Sequence, residues 1–196
     1  MPTPDERQVR EFESLLEELR KQLLDACVHF DIWVQLFPTA QVVDVINQYK
    51  GFFLPTINAH LDRFIIKVSN LFSNSPSSPS FYRIFKMLYN NPAFASGVDV
   101  RSLRKRLKQH RKVLEAIKEY RNTRAAHWDT QVQAQRKPVL FGESKRMLGE
   151  LQDIFNEVCR AHSRIVWSFK YSQQSNTSSL LNTLKLRRKQ KLKPTL

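Results

Sequence analysis

Phe12, Leu15, Leu16, Leu19, Leu23, Cys27, Phe30 and Val34 fall three and four residues apart. That interval puts them on one side of an α-helix, and a helix so long with one apolar stripe has to bury that side along its run. Thr3 with Glu6 makes a capping box at its start, and Pro4 suits the first helical position. Comparable stripes return along the chain. Only 4 Gly occur in 196 residues, and proline keeps to apparent boundaries, which argues against a β-rich chain with many tight turns. The expected fold class is all-α. The length is ample for one medium domain with its own core.

A short second helix is expected from Ala40 to Lys50, with Val42, Val43, Ile46 and Tyr49 inward and Gly51 ending it. Pro55 opens a third, which carries Ile57, Leu61, Phe64, Ile65, Val68, Leu71 and Phe72. Residues 73–80 are a Ser- and Pro-rich loop. Phe81, Ile84, Phe85, Leu88 and Tyr89 define a compact fourth helix that Asn90-Asn91-Pro92 stops. The dense aromatics here are helix-periodic, so they read as core packing and not as base-stacking platforms. Asp99 caps a long fifth helix that runs to Arg121, with Leu103, Leu107, Leu114 and Ile117 inward. The last long helix starts near Gly142–Ser144, with a stripe from Met147 through Phe155 and Val158 to His162, Ile165, Val166 and Phe169. His162 among these apolar residues is a satisfied core or boundary histidine. Residues 1–175 form the expected domain, and 176–196 a basic, flexible tail with room for a short helix at Leu180, Leu181 and Leu184. The tail should add salt-sensitive affinity for a polyanion, and no chemistry.

Charge narrows the function. Lys+Arg 32 against Asp+Glu 18 gives +14 and a pI near 10.1. The first 31 residues hold eight acids and four bases, net −4, so +18 remains for residues 32–196. The densest run holds Arg101, Arg104, Lys105, Arg106, Lys108, Arg111 and Lys112, with no acid between them. Like charges four apart on a helix repel by about 0.2–0.5 kcal/mol per pair. A phosphate-tracking surface is the obvious use for a run kept at that cost. Cys27 and Cys159 stand alone on apolar faces, and neither a disulfide framework nor a zinc site follows from them. They suit a reducing compartment. The acidic, amphipathic start is no signal peptide, no apolar run approaches a membrane span, and a cytoplasmic protein is expected.

The chemistry concentrates in Tyr120-Arg121-Asn122-Thr123-Arg124-Ala125-Ala126-His127-Trp128-Asp129. Arginine fixes negative charge on phosphate oxygens, and histidine moves protons near neutral pH. The bare spacing is weak, because Arg104 and His110 repeat it within the basic run. The context of Arg121 is richer: an amide follows it, two alanines leave backbone room, and a carboxylate lies two residues after the histidine. No pair of histidines or acids at metal-ligand spacing stands beside the stretch.

Arg121-Asn122-x-x-x-Ala126-His127-x-Asp129, after one amphipathic helix and before another, resembles the signature of the HEPN superfamily. Within it, the abortive-infection HEPN proteins of the AbiU2 type look closest. The resemblance spans residues 1 to about 175, carried by the motif, with helix order and length in agreement. It implies an up-and-down helical bundle, here with long first, fifth and last helices and the basic tail. It further implies a homodimer, usually a metal-independent endoribonuclease of phage defence or toxin–antitoxin systems. A cognate antitoxin, such as a small nucleotidyltransferase-like protein, is implied by analogy only. The family's arginine maps to Arg121, its polar residue to Asn122 and its histidine to His127; the pattern does not require Arg124, Trp128 or Asp129.

The chemistry follows independently. RNA carries its own nucleophile, the 2′-OH, so the protein has to supply only a proton shuttle and charge stabilisation. His127 is the candidate general acid or base, Arg121 grips phosphate oxygens, and Asn122 orients the phosphate or the imidazole. Arg124, with Arg101, Arg104, Lys105, Lys108, Arg111 and Lys112, is expected to bind RNA. No cofactor or metal is expected. On a continuous helix Arg121 and His127 lie about 120° and about 9 Å apart, so two copies across a two-fold axis serve better than one. Two other functions stay open: a noncatalytic RNA- or nucleotide-binding module, and a regulatory partner docking through the acidic first helix.

Overall fold

The computed structural model describes residues 4–40, 42–126, 141–170 and 177–191. They form α1 (Glu6–Gln35), α2 (Val43–Gln48), α3 (Lys50–Leu71), α4 (Phe81–Asn90), a 3-10 turn (Pro92–Ala95), α5 (Val100–Lys108), α6 (Arg111–Ala126), α7 (Phe141–Ser163) and α8 (Thr177–Lys191). The fold is all-α, as expected. No described helix is long and apolar enough to cross a membrane.

By its contacts the chain falls into two units. The first comprises Met1–Ala26 and Ile65–Phe169, and the second Cys27–Phe64 and Lys170–Leu196. In the first unit, the α1 stripe is buried as its period requires, with Phe12, Leu19 and Leu23 at 0% exposure. Phe12 stacks on Phe94 of the 3-10 turn at 4.6 Å, and Lys67 of α3 pairs with Asp25 of α1 at 2.6 Å. In the second unit, Leu36, Val45, Ile46 and Phe53 form a core with Leu181 of α8, and Leu184 packs against it. The short helix expected in the tail is therefore the longer α8. Gln35 Oε1 accepts hydrogen bonds from the Ser178 backbone N–H and hydroxyl, both at 3.1 Å.

Several local expectations shift by a turn, each for a physical reason. Thr3 lies outside the described residues. A capping box forms instead at Asp5 and Gln8: the Gln8 N–H donates to Asp5 Oδ1 at 2.8 Å and the Asp5 N–H to Gln8 Oε1 at 3.2 Å, a pair of short polar groups suited to the task. Gly51 does not end a helix, nor does Pro55 begin one. α3 starts at Lys50 with Pro55 inside it, because burying Phe53 at 1% exposure orders the turn before the proline. Tyr49, expected inward, is 40% exposed, and Val45 takes the inward place.

The expected single fifth helix is two. Asp99 caps α5 as foreseen, accepting from the Arg101 N–H at 2.9 Å. The turn then tightens, with Gln109 N–H to Arg106 O and His110 N–H to Leu107 O at 3.2 and 3.1 Å. Ending α5 here puts Lys105, Arg106 and Lys108 in its last turn, where the helix dipole favours cations. It also rephases the stripe: Val113 is buried, not Leu114.

α7 likewise stops at Ser163, short of the expected stripe. Arg164 takes a left-handed φ of 59°, a conformation helices commonly use to terminate. Asn156 then pairs in both directions with the backbone of Trp167, at 2.8 and 3.0 Å. Ile165 and Val166 are left exposed, while Phe169 is buried beside Phe155.

His29 and His60 in the second unit meet through their Nδ1 atoms at 2.8 Å. One ring donates and the other accepts, so the acceptor has to be neutral. Burial also lowers the pKa of His60 from its ordinary 6.5. A lowered imidazole pKa means the unfolded chain binds the proton more readily, so this stabilisation is full above pH 6.5 and fades as pH falls through the lowered value. We expect the thermal midpoint to drop on going from neutral to mildly acidic buffer, and to drop less in His60→Gln. Identical pH dependence in the two proteins would remove the histidine pair as its cause.

Candidate functional site

The cationic run of α5 and α6 is divided by direction. Arg106 points toward α7, where its Nε donates to Glu150 at 2.5 Å and its Nη1 to Glu157 at 2.6 Å. A planar guanidinium can serve two carboxylates at once, so this side chain ties α5 to α7. The acids that neutralise it are more than forty residues away in sequence. Arg101, Lys105 and Lys112 are exposed.

Arg104 and Lys108 instead line a groove, joined there by Arg111, Lys118 and Arg121 of α6. The groove encloses about 700 Å³. Arg104 and Lys108 lie four apart on α5, and Arg111, Lys118 and Arg121 seven and three apart on α6, so each helix turns one face to the groove. Buried Phe85, Leu107 and Ile117 supply an apolar floor. Glu115 is the acid among the lining residues, and it takes a hydrogen bond from Arg111 Nε at 2.6 Å. Among the described residues Arg104, Lys108, Lys118 and Arg121 have no carboxylate partner.

Arg121, the first residue of the motif, thus sits at the end of a cationic groove. It is exposed, and its Nη2 donates to the neighbouring Asn122 Oδ1 at 3.3 Å. α6 stays helical through Ala126. His127, Trp128 and Asp129 lie outside the described residues, as does the side chain of Arg124. The structure therefore brings together four of the expected cations (Arg104, Lys108, Arg111 and Arg121) and leaves Arg101, Lys105 and Lys112 off the groove lining. Lys118 was not anticipated. The signal for it was present, three residues before Arg121 and seven after Arg111, but it falls past the acid-free run.

A second cavity, of about 220 Å³, is lined by Glu13, Cys159 and His162, among others. Burial pushes the Cys159 thiol up to about 12, which makes it a poor nucleophile. His162 has Nδ1 2.7 Å from the Phe94 carbonyl and Nε2 3.5 Å from Glu13. It is the satisfied boundary histidine expected from its apolar surroundings. Both cysteines are free and buried. Among the described residues, no three His, Cys, Asp or Glu side chains gather in a way that could hold a metal ion.

Arg106 gives a test of how the groove is held. Arg106→Leu takes from Glu150 and Glu157 the guanidinium that they share, and should cost about 1–2 kcal/mol after allowance for partial exposure. Arg106→Lys should recover only part of that, since an ammonium lacks the fork. Urea midpoints measure both, and an unchanged midpoint in Arg106→Leu would contradict the role.

No curated protein and no solved structure matches this chain. A family model does. It is the HEPN model described as AbiU2, and it matches residues 10–181. The match takes in α1 from its second turn, every element from α2 to α7 and the first turn of α8, together with the motif that begins at Arg121. The chain belongs to the AbiU2 family of HEPN proteins.

Proposed function

We propose that this protein is an endoribonuclease of a phage-defence or toxin–antitoxin system, working as a homodimer without a metal. The observation that carries the reading is the position of Arg121. The motif's arginine lies in the same groove as Arg104, Lys108, Arg111 and Lys118, a concave cationic surface suited to a nucleic-acid backbone. Family membership supports the reaction class, and the large positive charge supports a polyanionic substrate.

In the proposed reaction an imidazole, His127, removes the proton of a ribose 2′-OH. The oxygen attacks the adjacent phosphorus, the bond from phosphorus to the 5′-oxygen breaks, and that oxygen takes a proton from water or from the protonated second imidazole of the dimer. The products are a 2′,3′-cyclic phosphate and a 5′-hydroxyl. Charge grows on the non-bridging oxygens as the new bond forms. Arg121 meets it with a planar pair of donors, and Asn122 beside it orients the guanidinium or the phosphate. Pairing two chains about a two-fold axis would put two copies of Arg121 and His127 in one cleft.

RNA cleavage assayed in EDTA tests this. The wild type should cut RNA and not DNA, leaving cyclic-phosphate ends. Arg121→Ala and His127→Ala should each lose about 100-fold or more in rate with helical circular dichroism retained. Full cleavage in both variants would overturn the assignment. RNA binding without turnover in the wild type would leave a noncatalytic binding module in its place.

A further inference from the structure

The groove is not uniformly cationic. Its α5 and α6 residues bring the charges, whereas the end of α3, the following loop and α4 bring Phe72, Ser73, Asn74 and Tyr82. The aromatics of α4 follow the helical period, and Phe81 and Phe85 are buried at 1% and 0% exposure. Tyr82 is different. It sits one residue out of phase with the buried set and is 44% exposed, although its ring lines the same cavity as five cations. Core packing explains Phe81 and Phe85 and does not explain Tyr82.

Phe72 holds the tyrosine in place. The two rings meet at 5.9 Å with an angle of 71° between their planes, and Phe72 in turn stacks on buried Phe81 at 6.0 Å. An edge-to-face contact fixes a ring without covering both its faces. A braced, half-exposed aromatic beside a line of arginines and lysines combines the two elements by which proteins hold unpaired nucleic acid: charge along the backbone and a π-face for a base. Ser73 and Asn74 add hydrogen-bonding groups of the kind that reach base edges.

We propose that Tyr82, braced by Phe72, is a base-stacking subsite of this groove. The ligand enters as an unpaired RNA strand, with one base turned onto the tyrosine ring and its phosphates along Lys108, Arg111 and Lys118. A duplex keeps its base faces in its own stack and cannot use the ring. The subsite rests on the reading of the groove as an RNA site, and selects strandedness where the cations alone would not.

Fluorescence anisotropy with the full chain tests it. The probes are a labelled 2′-O-methyl RNA strand, which lacks the nucleophile, the same backbone with abasic residues, and the corresponding duplex. Tyr82→Ala should weaken binding of the base-bearing strand by roughly 5- to 100-fold and leave the abasic strand and the duplex unchanged. Tyr82→Trp should keep the affinity, and 2-aminopurine in the strand should be quenched by the wild type and not by Tyr82→Ala. Equal affinity of wild type and Tyr82→Ala for the base-bearing strand would overturn the subsite. If both strands bind equally and Lys108→Ala weakens both, the subsite alone fails and the RNA groove stands. If neither strand binds, both readings fail.

Discussion

A helix of 30 residues with a single apolar face is stable only when that face is covered along its length. The rest of the structure follows from meeting this condition for α1. Its residues through Ala26 belong to the first unit and those from Cys27 to the second, so each core is built partly on the same helix. Phe12, Leu19 and Leu23 reach zero exposure in one, and Leu36 is covered by the Phe53 and Leu181 cluster in the other. Burying such side chains is worth about 1.5–3 kcal/mol each, much more than any single surface ion pair. Packing therefore decides where helices start, and local propensity yields. Pro55 inside α3 is the plainest case.

Charge is arranged within what packing leaves. Seven bases with no intervening acid should repel one another, and the chain answers in three ways. It turns Arg106 onto two glutamates of α7, ends α5 so that three of the bases lie at its negative pole, and exposes the rest. Arg104, Lys108 and Lys118, which among the described residues have no carboxylate partner, then share a concave face with Arg121. Such an arrangement concentrates positive potential in a low-dielectric groove, which is what a phosphodiester substrate needs and a merely solvated surface does not. Tyr82 adds an aromatic surface to the same cavity.

Much of this was legible in the sequence where the cause is local. The apolar periods marked the helices, Asp99 announced a cap, Asn91-Pro92 announced a stop, and the isolated cysteines and His162 were recognisable as interior or boundary groups. What could not be read is what depends on distant partners. The break at Gln109–His110 follows from which of Val113 and Leu114 finds cover. The early start of α3 follows from the core that receives Phe53. Arg106 looked like its neighbours because Glu150 and Glu157 lie in another helix. Phe72 reads as a core aromatic and Tyr82 belongs to no apolar stripe, since periodicity cannot tell a ring facing the interior, or one open to solvent, from one at the rim of a groove. Of the motif, Arg121 and Asn122 are placed by the structure, whereas His127 lies outside the described residues.

RNA is the proposed occupant of the groove lined by the end of α3, α4 and the α5–α6 face. Photo-crosslinking with RNA carrying 4-thiouridine, followed by mass-spectrometric mapping, addresses it most directly. Crosslinks are expected in peptides spanning residues 72–82 and 104–121, lost when unlabelled RNA competes. Crosslinks confined to α8 or to the acidic face of α1 would contradict it.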